Sequence, residues 1–280
     1  MIKKGKLYVV ATPVGNLSDL SSRAIETLRF VDIIACEDTR RTLKLCHHLD
    51  IKKPLVSYFR ENERHKYKIL LDFLLAEKSV ALVSDAGTPA ISDPGSILVR
   101  EARKSGIQIV AVAGPSSLTA AISIAGLSQS QFYFGGFPDS SQSKHIDSLR
   151  QVSILPCPLV FFISPHRLQS TLANMITALG DRPALLFREL TKVHEECKEG
   201  TLSSLAQHYQ KEIKGEIVLI IQGQIAQEEK PADFNELVLW YRDHLHISLK
   251  DTARQIAHDL GISRSEVYRQ ALSIWHKDST

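Results

Sequence analysis

The side chains best suited to chemistry in this sequence are gathered between Val80 and Gly95, VALVSDAGTPAISDPG. The apolar run Ala81-Leu82-Val83 ends in a loop that carries two carboxylates, Asp85 and Asp93, and is stiffened by Gly87, Pro89 and Pro94. A parallel sheet presents ligand sites in this way, with a polar loop at the carboxyl end of a buried strand. Gly87 lets a ligand approach the backbone closely, and the prolines remove freedom that binding would otherwise cost. The same residues also suit a rigid crossover turn in which Asp93 and Pro94 open a helix from Gly95 to Lys104, so other loops must decide.

Several other apolar runs end alike. Leu7 to Ala11 leads into Thr12-Pro13-Val14-Gly15, Ile33 to Cys36 into Glu37-Asp38-Thr39-Arg40, and Ile107 to Ala113 into Gly114-Pro115-Ser116-Ser117. Further on, Pro158 to Ile163 stops at Ser164-Pro165-His166-Arg167, and Ala184 to Phe187 delivers Arg188-Glu189-Leu190-Thr191-Lys192. No phosphate-loop motif is present and the first glycine loop lacks the three-glycine spacing that cradles a pyrophosphate, which moves ATP and NAD down the order. What the strand ends do supply is small hydroxyls (Thr12, Thr88, Ser116, Ser117), carboxylates (Asp38, Asp85) and exposed turn amides. Carboxylates accept from an ammonium or a ribose hydroxyl and turn amides donate to a carboxylate, so the lining suits a zwitterionic, ribose-bearing ligand without phosphates. S-adenosylmethionine has that chemistry.

Positioning these loops needs a repeated strand–loop–helix order, and the chain has it. Apolar strands alternating with helices up to Leu118–Ala125 predict a mostly parallel sheet covered on both faces, in a first α/β domain over residues 1–126. Ser18 or Asp19 is expected to cap the first helix. The pattern restarts at Phe132 to Phe134, passes through a polar Asp/Ser/Gln segment, and continues with strands at Pro158–Ile163, Ala184–Phe187 and Ile217–Ile221, giving a second α/β domain over 127–225. Gly180 is expected to cap the helix Leu168–Leu179. After a polar link, residues 230–280 read as a small helical domain: a helix opened by Ser248, a break at Gly261, then a capping box from Ser263 and Glu266. This is a helix-turn-helix shape. Arg264 and Arg269 could meet nucleic acid, yet from residue 230 onward seven basic side chains are balanced by seven acidic ones, and a helix pair that merely packs on itself or on a second copy remains open.

The remaining composition bounds the reading. Of the 280 residues 44% are hydrophobic and 23% charged, ordinary for a globular protein, and the formal net charge of +3 permits an anionic partner without demanding one. Four dispersed cysteines without a C-x-x-C spacing suggest reduced thiols and no metal site. The apolar start from Leu7 to Ala11 is too short for a signal peptide or a membrane span, so a cytoplasmic, non-membrane protein is expected.

The segments VATPVGNLSDLSSRAIETL, EDTR, LVSDAGTPAISDPG, GPSS, SPHR, RELTK and KGEIVL, in this order, resemble the bacterial 16S ribosomal RNA (cytidine-2′-O)-methyltransferases of the tetrapyrrole methylase-like group. The resemblance covers nearly the whole chain. It implies two α/β domains with S-adenosylmethionine in the cleft between them, a homodimer, a helical tail that assists rRNA binding, and 16S rRNA or the small ribosomal subunit as partner. Carried over by position, it implies cofactor contacts at Thr12, Pro13, Gly15, Asp85, Gly87, Thr88, Pro89, Ser116 and Ser117, with Phe162, Ser164 and Glu216 as the facing wall. The reaction would be an in-line methyl transfer from sulfonium to a ribose oxygen without a metal, in which the protein aligns the atoms and accepts one proton. Asp38 is the expected proton acceptor, with Arg40 binding a phosphate or orienting that carboxylate, and Glu189 with Lys192 forms a second pair. Glu37 to Arg40 reads equally as a salt-bridged strand-end and helix-capping cluster. Paired histidines at 47–48 and at 244 and 246 are expected on solvated surface.

The sequence departs from that family pattern at Ile163, where an acidic residue is usual, at Gly136-Phe137-Pro138-Asp139, which is shortened and lacks a lysine, at Tyr58 to Glu63, which lacks histidines, and at Gln222 in place of glutamate. All four are expected to face the cleft. Other readings stay open on these residues: a related methyltransferase of a tetrapyrrole or other small molecule, and a non-catalytic metabolite sensor that binds nucleic acid.

Overall fold

The computed structural model describes residues 5–211, 213–224 and 233–275. The chain divides into two compact units, Met1–Ile225 and Ala226–Thr280.

In the first unit, β1 (Lys6–Val10), β2 (Ile33–Cys36), β3 (Leu55–Ser57), β4 (Val80–Val83) and β5 (Gln108–Val112) form a sheet in the order β3-β2-β4-β1-β5. Every pairing is parallel. Strands β2 and β4 are buried along their whole length, as continuous apolar runs require in a sheet covered on both faces. On one face α1 (Ser22–Phe30) and α2 (Thr39–His48) bury Ala24, Leu28 and Cys46; on the other α3 (Glu63–Leu75) and α4 (Ser96–Lys104) bury Leu70, Leu74, Leu98 and Ala102. The cap of α1 is Ser21, which accepts from the Ala24 amide; Ser18 and Asp19 instead lie in a short 3-10 turn capped by Asn16.

The second sheet contains β6 (Tyr133–Gly136), β7 (Leu159–Ile163), β8 (Pro183–Arg188), β9 (Glu196–Thr201) and β10 (Ile217–Ile221), in the order β6-β7-β10-β8-β9. It is mixed: β6 runs parallel to β7, and the other pairings are antiparallel. Helices α6 (Gln142–Val152), α7 (Leu168–Leu179, closed by Gly180) and α8 (Leu202–His208) cover one face through Leu149, Leu172, Met175 and Leu205. The other face is covered by α5 (Ser117–Ile124), whose Leu118 and Ala121 pack with Val160, Phe187, Val218 and Ile220. Helix α5 follows the last strand of the first sheet yet belongs to the core of the second. The change from the first sheet's core to the second's therefore falls between Val112 and Leu118, ahead of residue 126.

Two elements exceed the sequence reading. The polar segment after Pro138 contains α6, which buries one face through His145 and Leu149. Strand β9 has the polar sequence ECKEGT and is held by its register with β8, from Pro183 opposite Thr201 to Arg188 opposite Glu196, and by a 2.8 Å ion pair between the latter two. Polar composition is normal for an edge strand.

The second unit packs α9 (Phe234–Leu245), α10 (Leu249–Leu260) and α11 (Arg264–Leu272) around Val238, Tyr241, Ala253, Ile256, Val267 and Ala271. Gly261, at φ 66°, closes α10 in the left-handed region and turns the chain into α11. Ser248 caps α10 as expected; the capping box at α11 does not form, because the Ser263 hydroxyl pairs with Ser265 at 2.8 Å and makes no cap bond.

Candidate active site

Because β4, β1 and β5 are neighbours, the loops after them meet at one end of the sheet. Thr12 and Gly87 exchange backbone hydrogen bonds of 2.9 and 3.0 Å, the Thr12 hydroxyl donates to the Ser84 carbonyl at 3.0 Å, and the Thr88 hydroxyl donates to the Pro115 carbonyl at 3.3 Å. The three loops are thus stitched together by the small hydroxyls at their bases. In the loop after β4, Gly87, Ala90, Ser92 and Gly95 all have positive φ; in the loop after β8, so do Glu189 and Thr191. Non-glycine residues in that region cost about 1–3 kcal/mol each and persist where surrounding structure holds them, which is common at binding sites.

Between the first sheet's loops and the second sheet lies a cleft of about 320 Å³. Its walls are Asp85, Gly87, Thr88, Asp93, Ser116 and Ser117 on one side and Phe137, Phe162, Ile163, Ser164, Gly215 and Glu216 on the other, with Glu37 and Val14 at the margin. Among the described residues four carboxylates line it and no lysine or arginine does. Burial pushes the Asp93 carboxyl up to about 6, reinforced by the Glu37 charge and opposed by a Ser84 hydrogen bond. Burial also raises Glu37, helped by the Asp85 charge. The Ser116 hydroxyl makes no cap bond to α5, so it and the unpaired first-turn amides of that helix are available to an acceptor. Phe162 is held edge-on to Phe134 at 5.0 Å and tilted to Phe137 at 5.4 Å, forming an aromatic wall. Among the described residues no group of three or more His, Cys, Asp or Glu is placed to hold a metal ion.

The expected site residues divide into three sets. Asp85, Gly87, Thr88, Ser116, Ser117, Phe162, Ser164 and Glu216 line the cleft. Thr12 and Pro13 line a second cavity on the far side of Asp85, while Pro89 is buried beneath the loop. Gly15 is exposed, and a Cβ built on it would meet the side-chain methylenes of Lys192, so its part is to let that lysine cross. Lys192 Nζ reaches Glu189 at 2.7 Å and Glu216 at 3.4 Å. Burial pushes the Glu189 carboxyl up, but the Lys192 hydrogen bond and the Glu216 amide outweigh it and hold the group below its ordinary value.

Asp38 does not line the cleft. Its Oδ1 accepts from the Arg40 amide at 2.8 Å as the N-cap of α2, and its Oδ2 pairs with Arg40 Nη2 at 2.7 Å. The Arg40 hydrogen bonds hold its carboxyl well below the usual carboxylate range. The arrangement is the salt-bridged capping cluster, a poor setting for a proton acceptor. Glu37 and Asp93 do reach the cleft; the sequence places Asp93 in the candidate binding loop without giving it the proton, and reads Glu37 only as part of the strand-end cluster. The signal for Asp93 was its spacing: Gly95 defers the start of α4 to Ser96 and leaves the aspartate outside the helix.

Of the four departures, Ile163 and Phe137 line the cleft. Tyr58 is buried under α3 and α4, and Arg60 and Glu63 brace the loop after β4 through Ser92 and the Gly95 amide. Gln222 follows the opposite end of β10 from Glu216, about 20 Å away at strand rise, and does not line the cleft.

The tetrapyrrole (corrin/porphyrin) methylase profile matches residues 6–206. A ribosomal RNA small subunit methyltransferase I of Halalkalibacterium halodurans is 40% identical over 98% of this chain and 96% of its own. The chain belongs to the ribosomal RNA small subunit methyltransferase I family. Another member, from Thermotoga maritima, is 43% identical over 78% of this chain and 99% of its own, and one from Escherichia coli O157:H7 is 39% identical over 96% and 95%. Among solved structures, a diphthine synthase aligns with TM-score 0.60 and 18% identity over 78% of this chain and 90% of its own. A Thermus thermophilus uroporphyrin-III C-methyltransferase in complex with S-adenosylhomocysteine aligns with TM-score 0.59 and 19% identity over 78% and 97%, and shares the fold. Membership makes this chain an S-adenosylmethionine-dependent methyltransferase, and the cleft fits that cofactor: its carboxylates suit a sulfonium and an ammonium, its serines a carboxylate, and its aromatic wall a base.

Proposed function

We propose that the protein methylates a cytidine ribose 2′-oxygen in the decoding region of 16S rRNA, in the cytoplasm and as a homodimer. The observation that carries the reading is a cleft lined by four carboxylates, in a chain whose relatives are named for small-subunit rRNA methylation. S-adenosylmethionine bound there supplies a methyl group on an electrophilic sulfonium. Ser116, Ser117 and the first-turn amides of α5 would donate to its carboxylate, Asp85 and Glu216 would accept from its ammonium or ribose hydroxyls, and Phe162 with Phe137 would cover its base. Asp93 would take the proton from the attacking hydroxyl, because a carboxyl raised to about 6 is matched to proton transfer near neutral pH. The exposed Arg264 and Arg269 of α11 would offer phosphate contacts to the rRNA.

A cationic ligand binds best when these carboxylates are ionised. Cofactor affinity is therefore expected to rise as pH increases through about 6, with proton release on binding near that pH, measured by calorimetry in buffers of different ionisation heat. An affinity flat between about pH 5 and 8 would contradict the acidic-cleft account. Labelled methyl transfer to small ribosomal subunits from cells lacking the protein tests the reaction itself: incorporation supports it, and none with naked rRNA or subunits sinks it.

A further inference from the structure

A second cavity, of about 230 Å³, lies on the other side of Asp85 from the main cleft, against α2. Its character is the reverse of the cleft's. Arg41, Lys44 and His48 line it, spaced i, i+3 and i+7 so that they share one face of the helix. All three are exposed. Arg41 Nη1 lies 3.4 Å from Asp85 Oδ2, a long, open pair at the partition between the two cavities, with the arginine side chain 65% exposed. Lys44 and His48 have no carboxylate partner among the described residues. Arg41 also stands in the first turn of α2, where the helix dipole disfavours a cation.

A nucleotide whose ribose enters an acidic cleft brings its phosphodiesters to the cleft's edge, and that backbone needs cations beside a cavity whose described lining is acidic. We infer that the α2 cavity is a subsite for the phosphodiester backbone flanking the methylated nucleotide, with Arg41 and Lys44 as the phosphate contacts. The inference rests on the proposed rRNA substrate. Leu17, Leu45 and Pro13 complete the cavity with apolar surface against which the adjoining sugar can lie. The separation of charge then sorts the two substrates: the cationic cofactor to one side of Asp85, the polyanion to the other.

The test compares Lys44→Glu with Lys68→Glu, an equal charge change at an exposed position on α3, which covers the opposite face of the sheet. Filter binding of small ribosomal subunits is followed as a function of salt, with cofactor binding measured by calorimetry. Lys44→Glu is expected to weaken subunit binding roughly tenfold at low salt and to reduce the logarithmic salt slope by about 0.7–0.9, the loss of one phosphate contact. Cofactor affinity should stay at the wild-type value, and Lys68→Glu should change neither. Equal behaviour of the two variants overturns the subsite while wild-type methylation stands. Failure of the wild type to methylate any subunit form overturns the function reading and removes RNA from the subsite with it.

Discussion

Replacing Asp93 with Asn is expected to lower kcat for methyl transfer by on the order of 100- to 10,000-fold, the usual contribution of a positioned proton acceptor. The same variant should be more stable than the wild type at neutral pH. The folded-state pKa of about 6 lies above the ordinary carboxyl value near 4, so the folded protein holds this proton more tightly than the unfolded chain. The stability that comes from the protonated form is therefore complete below about pH 4 and lost as pH rises through about 6. Asparagine has no charge to desolvate, so its melting temperature should exceed the wild type's by a few degrees at about pH 8, with the gap closing towards pH 4. Gain of stability with loss of activity separates a catalytic carboxylate from a structural one. Asp38→Asn is the contrast: asparagine is as good an N-cap as aspartate, so helix α2 keeps its start and methyl transfer should be nearly unchanged. If Asp38→Asn abolishes transfer and Asp93→Asn does not, the proton acceptor has been misplaced.

Gly95→Ala is expected to destabilise the first unit by about 4 kcal/mol and to lower its melting temperature by roughly 10 °C. Gly95 caps α4 at φ 140°, a region closed to residues with a Cβ. A Cβ there would stand 2.8 Å from Leu82 Cδ2 and 3.2 Å from the Ala90 Cβ, in a core where neither can retreat. Leu82 is 1% exposed, and Ala90 is itself held at positive φ. The strain would be passed along the loop to Asp93 and Asp85, so cofactor affinity should fall as well. Thermal unfolding followed by circular dichroism reads the first effect. A melting temperature within a degree or two of wild type would show that the loop relaxes freely and is not the rigid frame described.

Strands β2, β4 and β10 were legible in the sequence because an uninterrupted apolar run has one stable location, the middle of a covered sheet. The loops that follow β4, β1 and β5 could be read as strand ends, yet their meeting depends on strand order, which local sequence does not encode. Strand β9 was illegible for a related reason: ECKEGT has no apolar signature and becomes a strand only through its neighbour β8. The two aspartates show the limit most clearly. Both follow a buried strand and both precede a helix. Thr39 starts α2 at once and draws Asp38 into the cap, whereas Gly95 holds back α4 and leaves Asp93 to the cleft. Helix α5 had the small residues that permit close packing, but which sheet it would meet was fixed only in three dimensions, where it closes the second core. Gln222, grouped with the cleft by its place after a strand, lies at that antiparallel strand's far end.

The central claim is that the acidic cleft delivers a methyl group to a ribose of small-subunit rRNA. The direct measurement is to react labelled S-adenosylmethionine with small ribosomal subunits from cells lacking this protein, then to map the product by nuclease digestion and mass spectrometry. The account predicts one labelled ribose 2′-oxygen, on a cytidine of the decoding region, labelled on the order of 100-fold or more slowly by the Asp93→Asn variant. Label on a base, on a ribosomal protein or on no component, from protein that binds the cofactor normally, would contradict it.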